Sequence, residues 1–119
     1  MSILATVLTI AVALLFFYIM YLETFATTSA QTSRVFNLSI EELERPSLNV
    51  LFKNQGIYNG LVGVGLLYGV FFAQQPKEVV ALFLIYAILV AVYGALTSDK
   101  MILVKQGGLP ILALIALFF

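Results

Sequence analysis

Hydrophobic residues gather into four blocks, Ile3 to Leu22, Leu51 to Ala73, Val79 to Leu96 and Met101 to Phe119, with polar stretches between them. An α-helix needs about 20 residues to cross a hydrocarbon layer roughly 30 Å thick. The first block reaches that length without a charge, and the second reaches it with Lys53, Asn54 and Gln55 at its mouth. The third is slightly short, but Pro76 suits a first helical turn and Glu78 favours the positive end of the helix dipole. The fourth extends about 28 Å at 1.5 Å per residue. It also contains Lys105, Gln106, Gly107, Gly108 and Pro110, so it spans barely, or with a break near Gly107. The pattern predicts an all-α fold, a four-helix transmembrane bundle forming one integral-membrane domain, residues 1–119, with spans at about 3–22, 51–73, 79–96 and 101–119.

The long polar stretch, residues 24–50, is too short to be a separate domain. Within it Ser39 and Glu42 have the spacing of a capping box, and Ile40 and Leu43 give a short amphipathic helix that Pro46 ends. Such a helix suits the membrane surface. Gln74 to Lys77 and Ser98 to Lys100 read as tight turns, the first joining the second and third spans as an antiparallel hairpin. Lys and Arg concentrate on the cytoplasmic side of membrane proteins. Arg34, Arg45, Lys53, Lys100 and Lys105 fall on one side and Lys77 on the other, which places both termini outside the cytoplasm in a multi-pass protein of the cell inner (plasma) membrane.

Composition narrows the chemistry. The chain is 62% hydrophobic, well above the soluble range of roughly 45–50%, and its mean hydropathy is +1.07. Six basic and six acidic side chains cancel, so no basic field exists to recruit nucleic acid. There is no Cys, His or Trp, which removes disulfides, thiol nucleophiles, imidazole bases and the commonest zinc ligands. An enzyme is not expected, nor a metal or cofactor, because acids and amides alone activate water poorly. The apolar N-terminus lacks a basic n-region and reads as a retained span.

The second span then poses the main question, because NQGIYNG, Asn54 to Gly60, puts amides, a phenol and glycines where a membrane helix begins. At about 100° per residue, Asn54, Gln55, Tyr58 and Asn59 share one flank, and Gly56, Gly60 and Gly63 share the adjoining one. The glycine flank has the small-residue character that lets another helix approach closely, as do Ala87, Ala91 and Gly94 on the third span. Unsatisfied amides in hydrocarbon cost several kcal/mol, so the polar flank is expected to turn inwards. Glu23 at the end of the first span and Lys105 with Gln106 in the fourth are candidate companions, Lys105 being the natural counter-ion for Glu23. Two readings stand side by side. In one, Glu23, Asn54, Gln55, Tyr58, Asn59, Lys105 and Gln106 line a cytoplasmic-side site for a small polar solute, an ion or a lipid head group. In the other, the same groups only fix helix packing, and the protein is a structural or partner-binding one.

YIMYLETF (Tyr18 to Phe25), NQGIYNG (Asn54 to Gly60) and KQGGLPILAL (Lys105 to Leu114) resemble the small bacterial integral-membrane proteins grouped as domain of unknown function thirteen-oh-four. The likeness covers nearly the whole chain and implies four transmembrane helices with no established biochemical role. Members of that family often carry an imidazole shortly before the LE dipeptide and a Trp after it. Here those neighbourhoods read LLFFYIM and TFATT, so any chemistry resting on that imidazole does not transfer, whereas Glu23, Asn54, Gln55, Asn59 and Gln106 match. Membrane lipids and a small polar ligand are the expected partners. A homodimer through the glycine and alanine seams is expected if the chain forms a permeation path.

Overall fold

A computed structural model describes residues 1–119 and contains helices and turns but no strand. Its elements are α1 (Ile3–Met20), a π-helical turn (Tyr21–Phe25), α2 (Ala30–Phe36), α3 (Ile40–Glu44), α4 (Pro46–Phe71), α5 (Pro76–Thr97), a second π-helical turn (Leu103–Gly107) and α6 (Gly108–Ala116). They form two compact units, one of residues 16–61 and the other of residues 1–15 with 62–119.

The unit of residues 16–61 is built around the end of α1 and the first half of α4. Its polar connection holds two short helices where the sequence suggests one. Ser29 caps α2 by accepting from the Thr32 backbone N–H at 3.2 Å, and Asn37 ends it in the left-handed region at φ 55°. Such start and stop residues supply partners for the loose backbone groups at helix ends. In α3 the Ser39 hydroxyl accepts from the Glu42 N–H at 3.1 Å while the Glu42 carboxylate accepts from the Ser39 N–H at 3.3 Å, a complete capping box. Pro46 both stops α3 and opens α4, since a ring without an N–H fits a first turn as well as it blocks a continuing one. Buried Leu43, the Phe36–Phe52 edge-to-face pair at 5.2 Å, and the bond from Asn49 Nδ2 to the Leu43 carbonyl at 3.2 Å fasten these short helices to α4. Replacing Ser39 by alanine removes the cap and is expected to cost about 1 kcal/mol, visible as a lower unfolding midpoint and faster amide exchange confined to α3.

In the other unit the second half of α4 lies on α5, where Gly65 meets the Phe83 ring and Gly69 meets Val79 and Val80. The chain turns through residues 72–75 before Pro76 opens α5. α5 packs in turn on the second π turn and on α6, with Gly107 against the Ala91 Cβ and Gly94 against Ile102. The interruption foreseen near Gly107 is therefore a widened helical turn rather than a break. A wide turn accommodates Pro110, which has no N–H to return to the carbonyl four residues back. Ala5, Thr9, Val12 and Ala13 are the buried positions of α1 here, and the Thr9 hydroxyl donates to its own helix at the Ala5 carbonyl, 2.7 Å away.

Two helices are long and apolar enough to cross a membrane, Ile3–Phe25 with its π turn and Pro76–Thr97. α4 has the length, with 26 residues, but amides and glycines dilute its apolar character. Leu103–Ala116 is apolar but short.

Candidate functional site

The first helix carries no charge until Glu23, and that residue falls in the π-helical turn. A π turn closes its hydrogen bonds one residue further on than an α turn. The Ala26 N–H accordingly donates to the Tyr21 carbonyl at 2.9 Å. Glu23 is only 2% exposed, and its Oε1 accepts from Asn59 Nδ2 at 2.6 Å. A carboxyl oxygen accepting from an amide N–H is a charge-assisted bond when the acid is ionised.

Two glycines bring the helices together. A Cβ at Gly56 would overlap the Thr24 hydroxyl and stand 3.1 Å from the Glu23 Cβ, and a Cβ at Gly60 would overlap the Met20 sulfur. These glycines let α4 lie close enough for Asn59, a residue before Gly60, to reach the acid. No glycine in the chain has a positive φ, so close approach and not backbone freedom is what the residue type provides here.

A shell of hydroxyls completes the polar centre. At the end of a helix the last carbonyls lack partners within the helix. Thr27 Oγ1 donates to the Glu23 carbonyl at 2.7 Å, and Thr32 Oγ1 lies 2.7 Å from the Ala26 carbonyl and 3.1 Å from that of Leu22. Thr24 Oγ1 donates to the Lys53 carbonyl at 3.0 Å, while Lys53 Nζ donates to Thr27 Oγ1 at 3.3 Å. The amine thus adds positive charge at a helix C-terminus, where the dipole favours it. Tyr18 accepts from the Gln31 side chain, tying α2 to the end of α1. No buried side-chain nitrogen or oxygen is left without a partner.

Of the residues singled out from sequence, Glu23 and Asn59 meet directly. Asn54, Gln55 and Tyr58 do not turn inwards as expected. All three are exposed, Tyr58 by 68%, and with Leu51, Ile57 and Leu61 they line an open groove of about 710 Å³. The physical reason is the neighbouring glycine flank. Gly56, Gly60 and Gly63 are buried and take the packing side, so only the amide bordering them, Asn59, is carried inside. The hydrogen-bonding partner of Glu23 within its own unit is accordingly an amide of α4, that of Asn59. Lys105 and half-buried Gln106 belong to the other unit, in its π turn. Ala87 and Ala91 are buried and Gly94 half-buried on α5. The hydroxyls of Thr24, Thr27 and Thr32 are parts of the centre that the sequence pattern does not single out. The signal available was a run of Thr and Ser directly after an uncharged helix.

This is an all-helical chain with a carboxyl–amide centre at the end of an apolar helix, and it belongs to the family described as Protein of unknown function (DUF1304), whose model matches residues 10–118. The chain is 65% identical over 119 residues to "Uncharacterized protein YpaA" of Lactococcus lactis subsp. lactis (strain IL1403), with the whole of both chains covered. No solved structure matches it.

Proposed function

We propose that the chain is a multi-pass membrane protein that binds a small polar solute or ion at the Glu23–Asn59 centre and lets it pass between the two sides of the membrane. The carrying observation is the acid itself: a carboxyl 2% exposed, set in a π turn directly after twenty uncharged residues. An ionisable group in such a place is costly and is kept where it binds or relays something, and π turns recur at functional sites.

The membrane setting is supported by the apolar surface. Within the most apolar 18 residues of each candidate span only 33% and 22% of positions are buried, which favours lipid-facing helices over the covered core helices of a soluble protein. Ile3, Leu14, Leu82, Leu89 and Leu96 all stand open, which suits lipid and not water. We read α4 and the segment Met101–Phe119 as the remaining two crossings of a four-helix bundle, with both termini outside the cytoplasm by the Lys and Arg distribution. Glu23, Lys53 and the threonines then face the cytoplasmic side.

The test uses vesicles holding the full chain, loaded with a pH indicator or with a panel of small solutes. Wild type is expected to dissipate an imposed gradient faster than Glu23→Gln, which keeps the shape and one acceptor oxygen of the side chain. Equal rates for every solute would argue against passage. Complete hydrogen bonding around the centre favours a second reading, in which these groups only lock the helices. In that case Glu23→Gln lowers the unfolding temperature and alters no flux.

A further inference from the structure

The face of α4 opposite its glycines remains unexplained by the Glu23 centre. Leu51, Asn54, Tyr58 and Leu61 recur at alternating steps of three and four, the spacing of a seam between two helices. All four are exposed, Gln55 and Ile57 flank them, and together they shape the open groove. Neither the Asn54 nor the Gln55 amide has a partner within the chain, although large apolar side chains stand on both sides of them.

From this we infer that Leu51, Asn54, Tyr58 and Leu61 of α4 dock against the same residues of a second copy, making the protein a two-fold dimer. Three properties of the face select that occupant. An amide both donates and accepts, so Asn54 is complementary to itself across a two-fold axis. The seam carries no charge, so self-pairing brings no like charges together. The cation next to it in sequence, Lys53, sends its amine to Thr27, which leaves the face without the positive group that a phosphate head group would seek. Of the glycine and alanine positions expected from sequence to make a dimer, Gly56 already faces Thr24, Gly60 faces Met20 and Ala91 faces Gly107 of the same chain.

Because the chain has no native cysteine, single cysteines report contacts without background. Leu51→Cys, Tyr58→Cys and Leu61→Cys leave the amides intact, while Leu82→Cys and Leu89→Cys are exposed positions on another helix, α5. On oxidation in native membranes, the three seam positions are expected to give cross-linked dimer at least about fivefold more than the two controls, since a disulfide needs closely approaching Cα atoms. Asn54→Leu is expected to weaken association in detergent by roughly tenfold, measured as fluorescence transfer between labelled copies on dilution. Equal cross-linking at all five positions overturns the dimer, as does absence of cross-linking with lipid retained on the purified protein, which would make the groove a lipid site. An unchanged association constant for Asn54→Leu also overturns it. The result is independent of the Glu23 centre, because Glu23 and Asn59 lie on the packed side of the helix.

Discussion

Asn59→Leu is expected to lower stability by about 2–3 kcal/mol, because it removes the donor from a carboxyl that has almost no access to water. Asn59 Nδ2 stands 2.6 Å from Glu23 Oε1, and the acid is 2% exposed, so no solvent molecule replaces the lost bond from bulk. Removing one partner costs the desolvation of the other, whereas replacing both by apolar groups of similar shape is nearly neutral. Glu23→Met combined with Asn59→Leu should therefore be more stable than Asn59→Leu alone. A double-mutant cycle, read from unfolding in a mild detergent, is expected to give a coupling of at least about 1 kcal/mol. Additive single costs would mean that the two side chains are neighbours without a mutual bond of consequence.

That pair shows how far a single sequence can be read. The helical wheel places Gly56, Gly60 and Gly63 on one flank, and those residues are buried. The same wheel places Asn59 beside them, which is enough to carry its amide to the acid. An amide on an apolar helix does not face inwards merely because it is polar. Burial is decided by which flank packs more closely, and glycines outcompete amides for that role because they bring backbones together. The capping box at Ser39 was legible since it depends on two residues at a fixed spacing. α2 was not, since Val35 and Phe36 are too few apolar positions to establish a period. Nor were the π turns legible. An added residue in a helical turn leaves no mark in composition, although both turns fall on segments that the polar residues Glu23, Lys105 and Gln106 had singled out.

The glycines of the chain offer a graded test of close packing, with the largest effect expected at Gly56. A methyl group there would overlap the Thr24 hydroxyl and press on the Thr24 and Glu23 Cβ atoms, each 3.1 Å away. Those atoms belong to short, stiff stems, and the Thr24 hydroxyl is bonded to the Lys53 carbonyl, so relief requires the helices to part. Gly56→Ala is expected to cost about 1–3 kcal/mol, and Gly56→Val more. At Gly60 the obstacle is chiefly the Met20 sulfur, the end of a flexible side chain that can swing away, so Gly60→Ala should cost less. Gly108 has nothing within 4 Å of its virtual Cβ and an ordinary helical φ of −61°. There alanine should stabilise by about 0.4–1 kcal/mol through the smaller entropy of the unfolded chain. The order Gly108→Ala, Gly60→Ala, Gly56→Ala, from most to least stable, is readable as detergent unfolding midpoints. Parting the helices at Gly56 also withdraws Asn59 from Glu23, so the same variant should reduce any flux that depends on the acid. Gly108→Ala, with the centre untouched, should leave that flux at the wild-type rate, and a Gly56→Ala protein as stable as wild type would show that α4 does not rest on the first π turn.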